Sequence, residues 1–171
     1  VTPLPDSPYG KCSGVMLDGL RADGTVVTQL VYIDPRRDRL TAPLSGATNV
    51  TNRPGVANVT SRDMDGDGVY ELPVVRLLPT PENLQPQSVS YVVNWQKFIP
   101  GESATQTVCS TVYNSTDGYM LSLPEKWLGD NVTCRYDTES GTLTLYSVEK
   151  TESTVTLGAA LLRIRRYSKM E

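Results

Sequence analysis

Apolar and polar positions alternate with a period of two along most of this chain, the pattern of strands with one wet face. Ser13 to Leu17 and Thr25 to Ile33 read as strands joined through the turn Ala22-Asp23-Gly24. The second is dense in β-branched residues, with Val26, Val27, Val31 and Ile33. Asp34-Pro35-Arg36-Arg37-Asp38 turns the chain into a short segment, Leu40 to Leu44, which Pro43 interrupts. A polar span from Ser45 to Thr60, holding Pro54-Gly55, leads toward a strand at Leu72 to Leu78. Pro79, Pro81 and Pro86 make 79–88 a linker or long surface loop. Ser90 to Phe98 then presents Tyr91, Val93 and Trp95 on one face, and Pro100-Gly101 turns it toward Thr105 to Tyr113.

Asn114-Ser115-Thr116-Asp117-Gly118 is a strong turn signal before Tyr119 to Leu123. Pro124 to Trp127 reads as one helical turn with proline at its first position. Val132 to Asp137 and Thr142 to Val148 form a hairpin through Glu139-Ser140-Gly141, with Val132, Cys134 and Tyr136 on one face. From Thr154 to Tyr167, Leu162 and Ile164 alternate with Arg163 and Arg165, which favours a strand, although Leu157 to Leu162 also suits a helix. Residues 1–11 carry three prolines and read as an extended lead-in. No long amphipathic helix pattern occurs, so the expected class is mainly β, with antiparallel strands arranged as propeller blades or as a sandwich. Residues 1–113 form the expected β region. Residues 114–171 form a small antiparallel unit, for which α+β is the other reading.

Composition narrows the chemistry. The 171 residues suffice for one sizeable domain or two small ones. A net charge of −3 supplies no broad field for nucleic acid or anionic lipid. No apolar run approaches the ~20 residues of a spanning helix; the longest, Leu157 to Leu162, stops at Arg163. The chain opens at Val1 with no signal peptide, which reads as a start left after a removed segment or after trimming. There is no histidine, which removes Ser-His-Asp and Cys-His mechanisms, the HExxH zinc site and histidine general-base catalysis. Cys12, Cys109 and Cys134 lack zinc-ligand spacing, leaving buried thiols or one disulfide with a free thiol. Asn49, Asn58, Asn114 and Asn131 head glycosylation sequons, which the high Thr, Ser and Asn content of strand-rich surface proteins explains most simply.

One stretch departs from this bland picture. Asp63-Met64-Asp65-Gly66-Asp67-Gly68-Val69-Tyr70-Glu71 sets four carboxylates within nine residues. Such repulsion is relieved by a hard cation, and calcium takes six to eight oxygen ligands in loops of the form D-x-D-x-D-G. Gly68 falls at the sixth position, where such loops turn sharply. Val74 occupies position 12 instead of a bidentate Glu, and Pro73 follows the acid at Glu71, so an EF-hand is disfavoured. A loop feeding a strand is favoured, with a metal-free Gly/Asp turn as the bland alternative.

The loop resembles the calcium loop of FG-GAP/VCBS-type repeats, found in integrin-like β-propellers and many bacterial surface proteins. The resemblance implies side-chain ligands at Asp63, Asp65, Asp67 and Glu71, a carbonyl ligand at Val69 and a structural Ca2+. Tyr32-Ile33-Asp34-Pro35, Ser61-Arg62, Trp95 and Leu123-Pro124-Glu125-Lys126-Trp127-Leu128-Gly129 together resemble surface lipoproteins of Gram-positive gut bacteria. A single blade or two cannot close a propeller. Further blades therefore lie outside this sequence, or the strands form a smaller sheet or sandwich. The expected function is a non-catalytic, calcium-stabilised extracellular or cell-surface β module that binds or scaffolds a surface protein or glycan, without nucleic acid. The alternatives are a carbohydrate-processing or carbohydrate-binding domain using carboxylates such as Glu125 and Asp130 with Trp127, and an adhesion module with specificity in the 45–60 and 79–88 loops. Arg163, Arg165 and Arg166 read as a solvated strand face.

Overall fold

Twelve strands carry the fold in a computed structural model that describes residues 2–46, 49–55, 59–81, 91–102, 104–151 and 154–167. They are β1 (Thr2–Ser7), β2 (Gly10–Leu20), β3 (Thr25–Asp34), β4 (Arg39–Thr41), β5 (Arg53–Pro54), β6 (Leu72–Leu77), β7 (Tyr91–Ile99), β8 (Ala104–Asn114), β9 (Tyr119–Ser122), β10 (Val132–Asp137), β11 (Thr142–Lys150) and β12 (Val155–Arg165). The protein is mainly β, with antiparallel sheets, and the described residues form no closed barrel. One sheet has the order β1-β2-β3-β4 with β5 also on β3; the others run β6-β7-β8-β9 and β10-β11-β12. Leu157 to Leu162 is strand throughout, and the described helix is a single 3-10 turn at Glu125–Trp127. Pro124 stands just outside that turn as its N-cap, with ψ 147°, instead of at its first position.

The proline-rich lead-in is itself a strand. β1 pairs with β2 in the register Thr2↔Gly14, Pro3↔Ser13, Leu4↔Cys12. Proline donates no ladder hydrogen bond and is tolerated in a sheet only on edge strands, and β1 lies at the end of its sheet. The 82–90 part of the expected 79–88 loop and of the Ser90 strand start lies outside the described residues, as do Asn58 and other positions of the 45–60 span.

Contacts divide the chain into two units, neither continuous in sequence: residues 1–75 with 93–111, and 76–92 with 112–171. The first buries Leu4, Cys12, Leu30, Tyr32 and Leu44 together with Leu72 of β6 and Phe98 of β7. Trp95 is fully buried, and its indole N–H donates to the Thr111 hydroxyl at 3.0 Å. The second unit buries Val92, Val112, Leu123, Tyr136, Leu143 and Leu145, with Leu162 and Ile164 packed against them. In each unit the inward residues of one sheet meet those of another, as the period-two pattern requires.

A polar network is built into the first unit. Thr28 on β3 is fully buried; its amide donates to the Thr51 hydroxyl at 2.9 Å, and its carbonyl accepts from Thr51 and from the Asn49 amide. Side chains thus complete what a further strand would supply. Arg53, 2% exposed, donates to the Val59 carbonyl at 2.7 Å, the Thr51 carbonyl at 3.0 Å, the Thr28 hydroxyl at 3.0 Å and the Asp18 carboxylate at 2.8 Å. Asp18 also accepts from the Ser61 amide at 2.9 Å. Burial pushes the Asp18 carboxyl up, but Thr28, Ser61 and Arg53 together hold it below its ordinary value. A depressed folded-state pKa stabilises the protein above the ordinary carboxylate value, and that stabilisation is lost as pH falls through the folded value. The stability gap between the unmutated protein and Asp18→Asn is therefore expected to be flat above pH 5 and to shrink below about pH 4. Urea melts across this range measure it; a gap that widens toward low pH refutes the assignment.

Candidate metal centre

The acidic stretch is an excursion closed at its base by backbone pairing. Arg62 and Glu71 form an isolated antiparallel bridge, with the Glu71 amide donating to the Arg62 carbonyl at 2.9 Å. Ser61, just before it, is tied to Asp18. Between these ends the aspartates turn the chain by accepting amide hydrogen bonds, the local habit of Asp in tight loops. Asp63 accepts from Gly66 at 2.7 Å and from Gly68 at 2.9 Å; Asp65 accepts from Asp67 at 3.2 Å; Asp67 accepts from Val69 at 2.8 Å. Gly66 and Gly68 sit at φ 82° and 85°, the left-handed region in which a Cβ is costly.

Glu71 points back into the loop. It is fully buried, and one oxygen accepts from the Met64 amide at 2.7 Å. The other, Oε1, is buried with no hydrogen-bond partner. One oxygen each from Asp63, Asp65 and Glu71 lies within 4.8 Å of the others. Burial pushes the Glu71 carboxyl above its ordinary value, Asp65 and Asp67 adding to the rise against the Met64 amide and Lys97. Of the five ligands expected from the sequence, the structure gathers these three. Asp67 lies outside that set, and Val69 faces the loop through its amide.

The residue that sequence reasoning missed is Lys97 on β7. Its ammonium donates to Asp65 at 3.0 Å and to Asp67, and stands 3.7 Å from Glu71 Oε1. Its side chain is only 13% exposed. The hydrogen bonds it donates to Asp67 and Asp65 raise its pKa against the cost of burial, so it is charged at any ordinary pH. A signal existed: Tyr91, Val93 and Trp95 alternate on one buried face, and Lys97 continues it. A lysine on such a face needs an acidic partner. Arg62, meanwhile, lies over the Trp95 ring at 5.7 Å, so both flanks of the loop rest on β7.

This donor set suits a hard cation. Three carboxylates converge, and Glu71 Oε1 lacks a donor at hydrogen-bond distance, which buried carboxylate oxygens seldom do. Hard oxygen donors without sulfur or imidazole favour calcium or magnesium over zinc or copper.

The other sequence candidates are placed elsewhere. Asp130 is exposed and pairs with Arg76 and, at 3.3 Å, with Lys150. Glu125 opens the 3-10 turn, and Lys126 lies over the Trp127 ring at 5.9 Å. Asn49 and Asn114 are buried at 5% and 4% exposure and serve as turn-forming amides, which supports the compositional account of their sequons. Cys12 and Cys109 are free thiols. No helix among the described residues is long and apolar enough to cross a membrane. No family model matches the chain, and neither a curated protein nor a solved structure matches it, so the loop's likeness to FG-GAP/VCBS repeats rests on Asp63 to Glu71 alone.

Proposed function

We propose that this protein is a non-catalytic β module that calcium stabilises outside the cell or at a bacterial cell surface, where it binds or scaffolds a surface protein or glycan. The observation that carries this reading is Glu71 Oε1, a buried carboxylate oxygen with no donor, held beside Asp63 and Asp65. Asp67 and the Val69 carbonyl complete the set by resemblance. The ion's role is structural: a cation that holds the carboxylates together only in the folded state turns binding energy into folding energy. Extracellular modules bind calcium at ~10⁻⁴–10⁻³ M, which matches calcium outside cells. The sugar-processing alternative draws little from Asp130, whose carboxylate is taken up by Arg76 and Lys150.

At 10 mM calcium such affinities add about 1.4–2.7 kcal/mol, or a rise of roughly 3–10 °C in melting temperature. Asp65→Ala abolishes the rise. Calorimetric scans in EDTA and in calcium test this, and a scan of the unmutated protein that calcium leaves unchanged sinks the reading.

A further inference from the structure

We infer that the outer face of the β10-β11-β12 sheet binds a single acidic sugar unit, gripping its carboxylate or sulfate with Arg135, Arg163 and Arg165. The alternation of these strands sends Cys134, Tyr136, Leu143, Leu145, Leu162 and Ile164 to the core. Their neighbours therefore face outward. Pairing then sets Arg135 opposite Thr144, Thr144 opposite Arg163, and Thr142 opposite Arg165. Arg163 and Arg165 were adjacent in the sequence pattern, but Arg135 joins them only through this register.

The three arginines border a groove of about 360 Å³ with Thr142, Thr144 and Tyr146 on its floor. Thr144 is only 7% exposed, while the arginines flanking it are exposed. Two strand spacings separate Arg135 from Arg163, roughly 10 Å at the backbone. Their flexible side chains therefore converge on an anion seated over Thr144. Arg166 pairs with Asp117 at 2.9 Å, Arg76 with Asp130 and Arg53 with Asp18, whereas Arg36 and Arg62 lie over aromatic rings. Among the described residues, none of the three groove arginines has a carboxylate within ion-pair distance. Asp137 also borders the groove; its oxygens accept from the Ser140 hydroxyl and from the Glu139 and Ser140 amides, and it feels the charge of Arg135 beyond ion-pair distance. Arg165 additionally lies over the Tyr167 ring at 5.2 Å.

Guanidinium forks beside hydroxyls, with no carboxylate at ion-pair distance among the described residues, are the donor set for an oxyanion, which they take bidentately. The occupant's size follows from charge. Three arginines in a chain of net charge −3 make a local patch, too small for the phosphate track of a nucleic acid. Tyr146 and the Thr144 hydroxyl suit the ring and a hydroxyl of a sugar carrying that anion, while the Thr142 hydroxyl is already bonded to Ser140. The inference rests on the binding-module reading but not on calcium, since every residue in it lies outside the acidic loop.

The test is a titration with a heparin-derived tetrasaccharide in EDTA, followed by NMR of backbone amides and arginine Nε–H groups. Maltotetraose, inorganic sulfate and a short DNA duplex run in parallel. The expected result is saturable shifts at Thr144, Tyr146 and the three arginines with the sulfated sugar and none with maltotetraose. Arg135→Ala or Arg163→Ala weakens binding about tenfold or more, and Arg163→Lys, which keeps the charge but loses the fork, also weakens it. Arg39→Ala, in the other unit and not among the residues bordering the groove, changes nothing. Melting curves confirm that each variant folds, with Arg163→Gln replacing any that does not. Absence of shifts at the groove, or equal binding by sulfate alone or by DNA, overturns the inference. Because calcium is absent throughout, a failed calcium scan leaves this result standing, and the reverse also holds.

Discussion

Arg53→Met is expected to lower stability by about 3–5 kcal/mol, the cost of removing one partner from a buried ion pair. Burial pulls the Arg53 guanidinium's pKa down and Asp18 opposes that, so the charge is costly to bury and is kept by its partners. Methionine fills a similar volume, so the loss does not come from a large cavity. It comes from Asp18, whose side chain is 19% exposed, and from the Thr51 and Val59 carbonyls, all left without the guanidinium. The double variant Asp18→Asn/Arg53→Met should recover part of the loss, because it no longer strands a charge. Urea unfolding of the four proteins closes the cycle. A loss below 1 kcal/mol in the single variant contradicts the network's role.

Lys97→Met is expected to cost about 2–3 kcal/mol without calcium, below the full value for a buried pair because Asp65 and Asp67 are 38% and 44% exposed. The larger share of the loss is Glu71, fully buried and left facing two aspartates. Calcium should reverse the order. Lys97 already neutralises Asp65 and Asp67, so it competes with any divalent ion for the same charge. With the ammonium gone, the rise in melting temperature on adding calcium should exceed that of the unmutated protein. Equal calcium responses in the two proteins show that lysine and metal do not compete. A variant as stable as the original without calcium shows that the loop needs no cation.

The strands were legible because a single period governs them. The alternation that put Val132, Cys134 and Tyr136 on one face, and Leu162 and Ile164 opposite Arg163 and Arg165, is the one that the second unit's core keeps. The acid loop was legible because calcium chemistry demands carboxylates close together in sequence. What escaped reading is what register and folding bring from afar. Lys97 reaches the loop across a separation of 32 residues from Asp65, and no local pattern records that. Arg135 meets Arg163 only because β11 lies between their strands. Arg53 stood in a polar span that looked like loop, because its partners Asp18 and Val59 come from other segments. The two-unit division was hidden for a related reason: its boundaries fall within β6, β7 and β8, where composition does not change.

The prolines of β1 have a consequence for self-association. Pro3 and Pro5 share one parity along the strand, and having no N–H to give β2, they belong where the backbone nitrogen faces away from the sheet. A second chain approaching that border finds carbonyls but lacks two of the donors that a paired ladder needs. The border is thus a poor template for fibre growth. The same residues that disguised β1 as a lead-in keep its sheet from extending into a neighbour at high concentration.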